Sequence, residues 1–249
     1  MKDGFIKVAA GTPDVRVADC EFNATEIIRM VHEMETEGAK VMVFPELCIT
    51  AYTCGDLFWQ ENLLEEAKVQ LVRIAEETAD VDAVIFVGLP LEYNGKLYNV
   101  AAGLNQGEIL GFVPKIYLPN YNEFYEARYF TSGECLDGTV HIDREVYRER
   151  YAEAAEPDDV EFEIEMAESD GFEELEEIEE DEVLDYIDED VEDEDDDLYE
   201  EDIWISPNTI FTCEQMPKLQ IAAEICEDLW VPDPPSVTHA YHGANLIVN

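Results

Sequence analysis

Through the first half of the chain, short apolar runs alternate with stretches in which apolar side chains return every three or four positions. Residues 5–10 read as a strand, and a helix is predicted from about Asn23, as its cap, to Glu37, because Ile27, Met30, Val31 and Met34 share one helical face. Gly38 stops that helix, and residues 41–44 (Val-Met-Val-Phe) form a buried strand. A second helix is predicted from about Leu57 to Thr78, with Leu64, Ala67, Leu71 and Ile74 on its apolar face, followed by a strand at residues 84–88. Asn94-Gly95 marks a tight hairpin turn and Gln106-Gly107 a second, so residues 97–104 and 109–113 are expected to pair antiparallel. Strands alternating with helices around an embedded hairpin imply a mixed α/β sheet covered by helices on one face. Its other face needs a partner, and a second sheet is one solution.

The pattern returns near the end of the chain. Residues 204–211 and 219–225 read as strands, Ser236 as the cap of a short helix through Tyr241, and Gly243 as its stop. Residues 246–248 open a further strand where the sequence closes, so the fold is expected to be incomplete at its C-terminal end.

Between these halves the pattern fails. Residues 151–202 hold 30 of the 61 acidic residues and no Lys or Arg, and self-repulsion there favours an acidic, disordered insertion. The formal net charge of −47 argues against a nucleic-acid surface, which needs clustered basic residues. No signal-like N-terminal run and no 18-residue apolar stretch occurs, so neither a targeting segment nor a membrane span is expected. Six cysteines without C-x-x-C spacing fit reduced thiols in a cytoplasmic protein. A partner-binding role for the acidic tract in an otherwise inactive fragment is the reading furthest from an enzyme.

Three segments carry chemistry. Glu46 follows the strand at 41–44 and precedes an apolar, aromatic loop suited to desolvating a general base. Lys115 closes the strand at 109–113, in a chain with only 14 basic residues. Cys226 leaves a strand into a turn that opens a helix, a geometry that exposes a sulfur beside backbone N–H groups. Together they suit amide hydrolysis: the thiol attacks, Glu46 moves the protons, and Lys115 with the N–H after Cys226 holds the oxyanion. His239 and His242 stand at helical spacing without an evident third ligand, so no metal site is expected.

At these residues the sequence resembles the nitrilase superfamily of carbon–nitrogen hydrolases, and within it the N-terminal glutaminase domain of glutamine-dependent NAD synthetases. Phe-Pro-Glu-Leu-Cys-Ile-Thr-Ala-Tyr around Glu46, Pro-Lys-Ile-Tyr-Leu-Pro-Asn-Tyr-Asn-Glu-Phe-Tyr-Glu around Lys115 and Glu-Ile-Cys-Glu-Asp-Leu-Trp around Cys226 carry the resemblance, over residues 1–140 and 203–249. It implies one partial hydrolase domain over residues 1–249, a four-layer α-β-β-α sandwich with the acidic insertion inside it. It implies glutamine-binding positions at Tyr52, Tyr121, Glu227 and Trp230, and a lysine-supporting carboxylate at Glu123. It also implies ammonia transfer to an ATP- and magnesium-dependent synthetase domain that amidates deamido-NAD, and a homo-oligomeric assembly. The glutaminase site itself is expected to need no cofactor. A standalone amidase or carbamoylase acting on another small amide shares the triad and is the alternative.

Overall fold

The computed structural model describes residues 5–155 and 200–249. Its larger sheet has seven strands in the order β1-β2-β3-β4-β5-β7-β6. Strands β1 (Val8–Ala10), β2 (Val41–Val43) and β3 (Val84–Tyr93) are parallel. The chain then meanders through β4 (Lys96–Asn105) and β5 (Glu108–Pro114). Both hairpin turns fall where the sequence places them. Asn94 and Gly95 take φ of 50° and 70°, Gln106 and Gly107 49° and 88°, the left-handed pair that a two-residue turn needs.

Strand alternation divides the side chains between two cores. Met42, Ile85, Val87, Leu89 and Phe112 face helices α1 (Cys20–Thr36) and α2 (Glu61–Glu77), with Ile27, Val31, Ala67, Leu71 and Ile74 opposite them. Val41, Phe86 and Val113 point the other way, onto a second sheet of order β10-β9-β8. That sheet contains β8 (Ile210–Cys213), β9 (Met216–Ala223) and β10 (Leu246–Val248). Phe86 meets Phe211 edge to face across the gap, with ring centroids 5.2 Å apart. On the far side of β9, Glu224 accepts the N–H of Ser236 in helix α4 (Pro235–Tyr241), which completes an α-β-β-α order.

Several expectations need correction. Helix α1 starts four residues early: Asp19 caps it by accepting from Phe22 N at 3.2 Å, while the buried Asn23 side chain donates to the carbonyls of Arg16 and Ile49. The predicted helix from Leu57 is a 3-10 segment (Tyr52–Trp59) followed by α2. Ser236 makes no side-chain cap. The strand predicted at 204–211 is two strands in different sheets. Ser206-Pro207-Asn208 breaks it, so β7 (Glu200–Ile205) joins the large sheet and β8 the small one. Residues 138–150, unassigned from the sequence, and residues 151–155, expected to be disordered, form β6 (Gly138–Asp143) and α3 (Arg144–Ala155). The acidic stretch is therefore ordered at both ends, in the last turn of α3 and the start of β7. The disorder expected for residues 156–199 falls outside the described residues.

Candidate active site

Glu46, Lys115 and Cys226 each follow the carboxyl end of a strand: β2, β5 and β9. The fold brings all three together where the two sheets open. Lys115 Nζ lies 2.6 Å from Glu46 Oε1 and 2.8 Å from Glu126 Oε1, and its side chain is fully buried. Burial alone pulls the Lys115 ammonium down, but the two carboxylates outweigh it and hold the group above its ordinary range. Glu126 shifts upward through burial and the Glu46 charge, partly offset by Lys115 and by the Tyr52 hydroxyl that donates to it at 2.8 Å.

The lysine-supporting carboxylate is thus Glu126, three residues beyond the expected Glu123, which is exposed. The segment Tyr-Asn-Glu-Phe-Tyr-Glu offers both acids. What selects the second is the turn Glu126–Arg128, whose entry is fixed by Glu126 N donating to Pro119 O at 3.2 Å.

Close approach of backbones sets the position of Glu46. A Cβ on Gly88 would stand 2.4 Å from Leu47 N and 3.0 Å from Glu46 C, so only glycine in β3 lets the loop pass. Ile49 N then donates to Gly88 O at 3.1 Å, and Leu47 takes a φ of 52°.

Cys226 itself has a φ of 48°, a left-handed conformation that costs energy for a non-glycine residue and turns the side chain out of the strand line. Asp228 secures that turn. Its carboxylate accepts from Ile225 N at 3.1 Å, and from Ile116 N at 3.1 Å and Tyr117 N at 2.7 Å in the loop after Lys115. The nucleophile's loop and the lysine's loop are thereby stapled together. Asp228 was not singled out from the sequence, although an acid two positions past Cys226 was visible there. Burial pushes its carboxyl up to about 6, against the pull of those amides.

Burial, then the Glu46 charge, push the Cys226 thiol up to about 11, with Lys115 opposing and a hydrogen bond to Glu46 adding to the rise. The shift favours the protonated thiol over a thiolate. A cavity of about 200 Å³ opens beside it, lined by Glu46, Asn99, Cys226 and Trp230 among apolar walls such as Phe86 and Val100. Trp230 is 76% exposed at the rim. Tyr121, also exposed, donates to Glu227 Oε2 at 2.8 Å. Tyr52, Tyr121 and Glu227 lie outside that lining, Tyr52 bordering a second hollow with Glu123 and Glu126.

Among the described residues no group of three or more His, Cys, Asp or Glu is placed to hold a metal ion. His239 Nε2 is hydrogen-bonded to Pro207 O and His242 Nδ1 to Thr238 O. No described helix is long and apolar enough to cross a membrane.

The sequence matches the family model of carbon–nitrogen hydrolases over residues 7–162. The chain belongs to that family. Glu46 and Lys115 fall inside the matched span and Cys226 beyond it. Among curated proteins, the chain is similar to a glutamine-dependent NAD(+) synthetase of Mycobacterium tuberculosis, at 29% identity over 246 residues. That alignment takes in 99% of this chain and 28% of the relative. A synthetase of the same description from Aquifex aeolicus is 38% identical over 118 residues, 47% of this chain and 20% of the relative. The chain thus spans less than a third of the length of these relatives. Among solved structures, a glutamine-dependent NAD(+) synthetase from Cytophaga hutchinsonii shares the fold, with a TM-score of 0.63 at 21% identity over 97% of this chain and 30% of that one.

Proposed function

We propose that this domain hydrolyses the side-chain amide of glutamine through a thioester on Cys226. The ammonia feeds an ATP- and magnesium-dependent amidation of deamido-NAD carried out elsewhere in the full protein, which is homo-oligomeric and cytoplasmic. The observation that carries the reading is the convergence of Glu46, Lys115 and Cys226 at three strand ends, with Lys115 ion-paired to Glu46 and Cys226 lining the same cavity as Glu46. The resemblance of the Lys115 and Cys226 segments to NAD synthetases supports glutamine over other amides.

Each step has a group to perform it. Glu46 takes the Cys226 proton as the sulfur bonds to the carbonyl carbon. The oxyanion accepts from the Lys115 ammonium and from the N–H of Glu227, the residue after the nucleophile. Glu46 returns the proton to nitrogen as the C–N bond breaks, releasing ammonia and leaving the thioester. Water then attacks, Glu46 accepts its proton, and the C–S bond breaks with the sulfur reprotonated. Glu126 holds Lys115 in place, while Tyr52, Tyr121, Glu227 and Trp230 form the surroundings of the glutamine backbone.

Ammonia release from glutamine, asparagine and a simple aliphatic amide tests the reading. Glutamine should be turned over, and Cys226→Ala should lower the rate by about 10⁴-fold or more. Ammonia from the aliphatic amide but none from glutamine would instead make the domain a small-amide amidase.

A further inference from the structure

Asn99 sits within β4, is 1% exposed, and follows a period in which an aliphatic side chain would be expected. Its Nδ2 donates to Glu46 Oε1 at 2.5 Å, while its Oδ1 is buried without a hydrogen-bond partner. An unpaired buried carbonyl oxygen costs folding stability, and natural proteins seldom keep one without a reason. The backbone gives none: Asn99 O accepts from Lys115 N at 2.9 Å, a bond any residue would supply. What the side chain adds is therefore directed at Glu46.

That contribution is specific. Both bonds to the Glu46 carboxylate, from Lys115 Nζ at 2.6 Å and Asn99 Nδ2 at 2.5 Å, fall on the same oxygen, Oε1. We infer that Asn99 is a positioning residue that pins Oε1 of Glu46 and so reserves Oε2 for the proton of the Cys226 thiol. Without it, the carboxylate is free to turn both oxygens to the Lys115 ammonium and become an ion-pair partner instead of a base. In the step concerned, the S–H bond breaks, its proton passes to Oε2, and the sulfur electron pair forms the bond to the acyl carbon. The inference deepens the hydrolytic reading above and rests on it for the natural substrate.

Asn99→Leu removes the amide while keeping a γ-branched side chain, its added volume facing the cavity beside Cys226, and Asn99→Asp keeps the shape while replacing the donor with an acceptor. Each is compared with the unaltered chain for thermal midpoint, for ammonia release from glutamine, and for the burst of p-nitrophenolate on acylation by p-nitrophenyl acetate, with Cys226→Ala as the zero. The Leu variant should melt at or above the unaltered midpoint. Its burst rate should fall at least about 30-fold and its kcat on glutamine about 100-fold, with KM held within about threefold. The Asp variant should be no faster than the Leu variant. A folded Leu variant within about threefold of the unaltered burst rate would overturn the inference, as would losses of rate that only track a lowered midpoint. Should Asn99→Leu not fold, Asn99→Asp decides by the same burst criterion. If the unaltered chain bursts with the ester yet releases no ammonia from glutamine, the substrate reading fails while the burst comparison still judges Asn99.

Discussion

The floor and the rim of the active site are built by opposite rules. At the floor, Lys115 and Glu126 are almost wholly buried, and every charged oxygen or nitrogen that contacts Lys115 is also tied to a second group. At the rim, Trp230 and Tyr121 are more than half exposed, and the Tyr121–Glu227 bond is open to water. Buried charges tolerate no missing partner, because the survivor keeps its full desolvation cost. Rim groups exchange protein for solvent at little cost. The difference separates what fixes the chemistry from what chooses the substrate.

Removing a charged group from the floor should therefore lose stability and rate together. Lys115→Met strands two carboxylates beside each other and should destabilise the domain by about 3–5 kcal/mol, and the residual folded fraction should show ammonia release down about 10³-fold. Denaturant unfolding with parallel kinetics checks both, and a variant of full stability would break the contrast between floor and rim.

Protons give the next largest effect. With its thiol pushed up to about 11, Cys226 should react with iodoacetamide about tenfold faster per pH unit from 7 to 9, read by peptide mapping. The same shift has a stability sign. Between the ordinary thiol range near 9 and about 11 the folded protein keeps a proton that the unfolded chain loses, so this stabilisation is complete below 9 and is lost as pH rises through 11. A labelling rate already flat at pH 7 would mean a thiolate and remove Glu46 from its role as base.

Gly88→Ala probes the scaffold under the floor. The added methyl meets the Leu47 amide, so stability should fall by about 1–3 kcal/mol and turnover about tenfold as Glu46 shifts. At the rim, Tyr121→Phe should leave the thermal midpoint unchanged and raise KM a few-fold with kcat preserved, about the effect of one exposed hydrogen bond. A fall in kcat there instead would move Tyr121 from rim to floor.

The sequence exposed the floor unevenly. Glu46, Lys115 and Cys226 were legible because each is a reactive residue placed where an apolar run stops, and a strand's end is visible in a period of two. Asn99 was not, because a polar residue inside a strand reads as an outward-facing position, and only the fold shows it turned towards Glu46. Glu126 was hidden by a neighbour of the same type, Glu123, since nothing in the spacing decides which carboxylate a turn delivers to an ammonium eight or eleven residues back. The large sheet's first five strands followed from alternation and turn residues. The exchange of sheets at Ser206-Pro207-Asn208 did not: those residues mark a turn, but a turn alone does not say whether the strands on its two sides share a sheet or part company.

The Asp228 staple sets a tolerance for the whole molecule. Because one carboxylate grips the amides of both strand-end loops, the spacing between nucleophile and lysine is gauged to the thickness of the layer between the sheets. That layer is filled in part by Phe86 against Phe211, both buried. Change in the volume of such a filler has nowhere to dissipate in close-packed surroundings, and so arrives at Cys226 as an error of alignment.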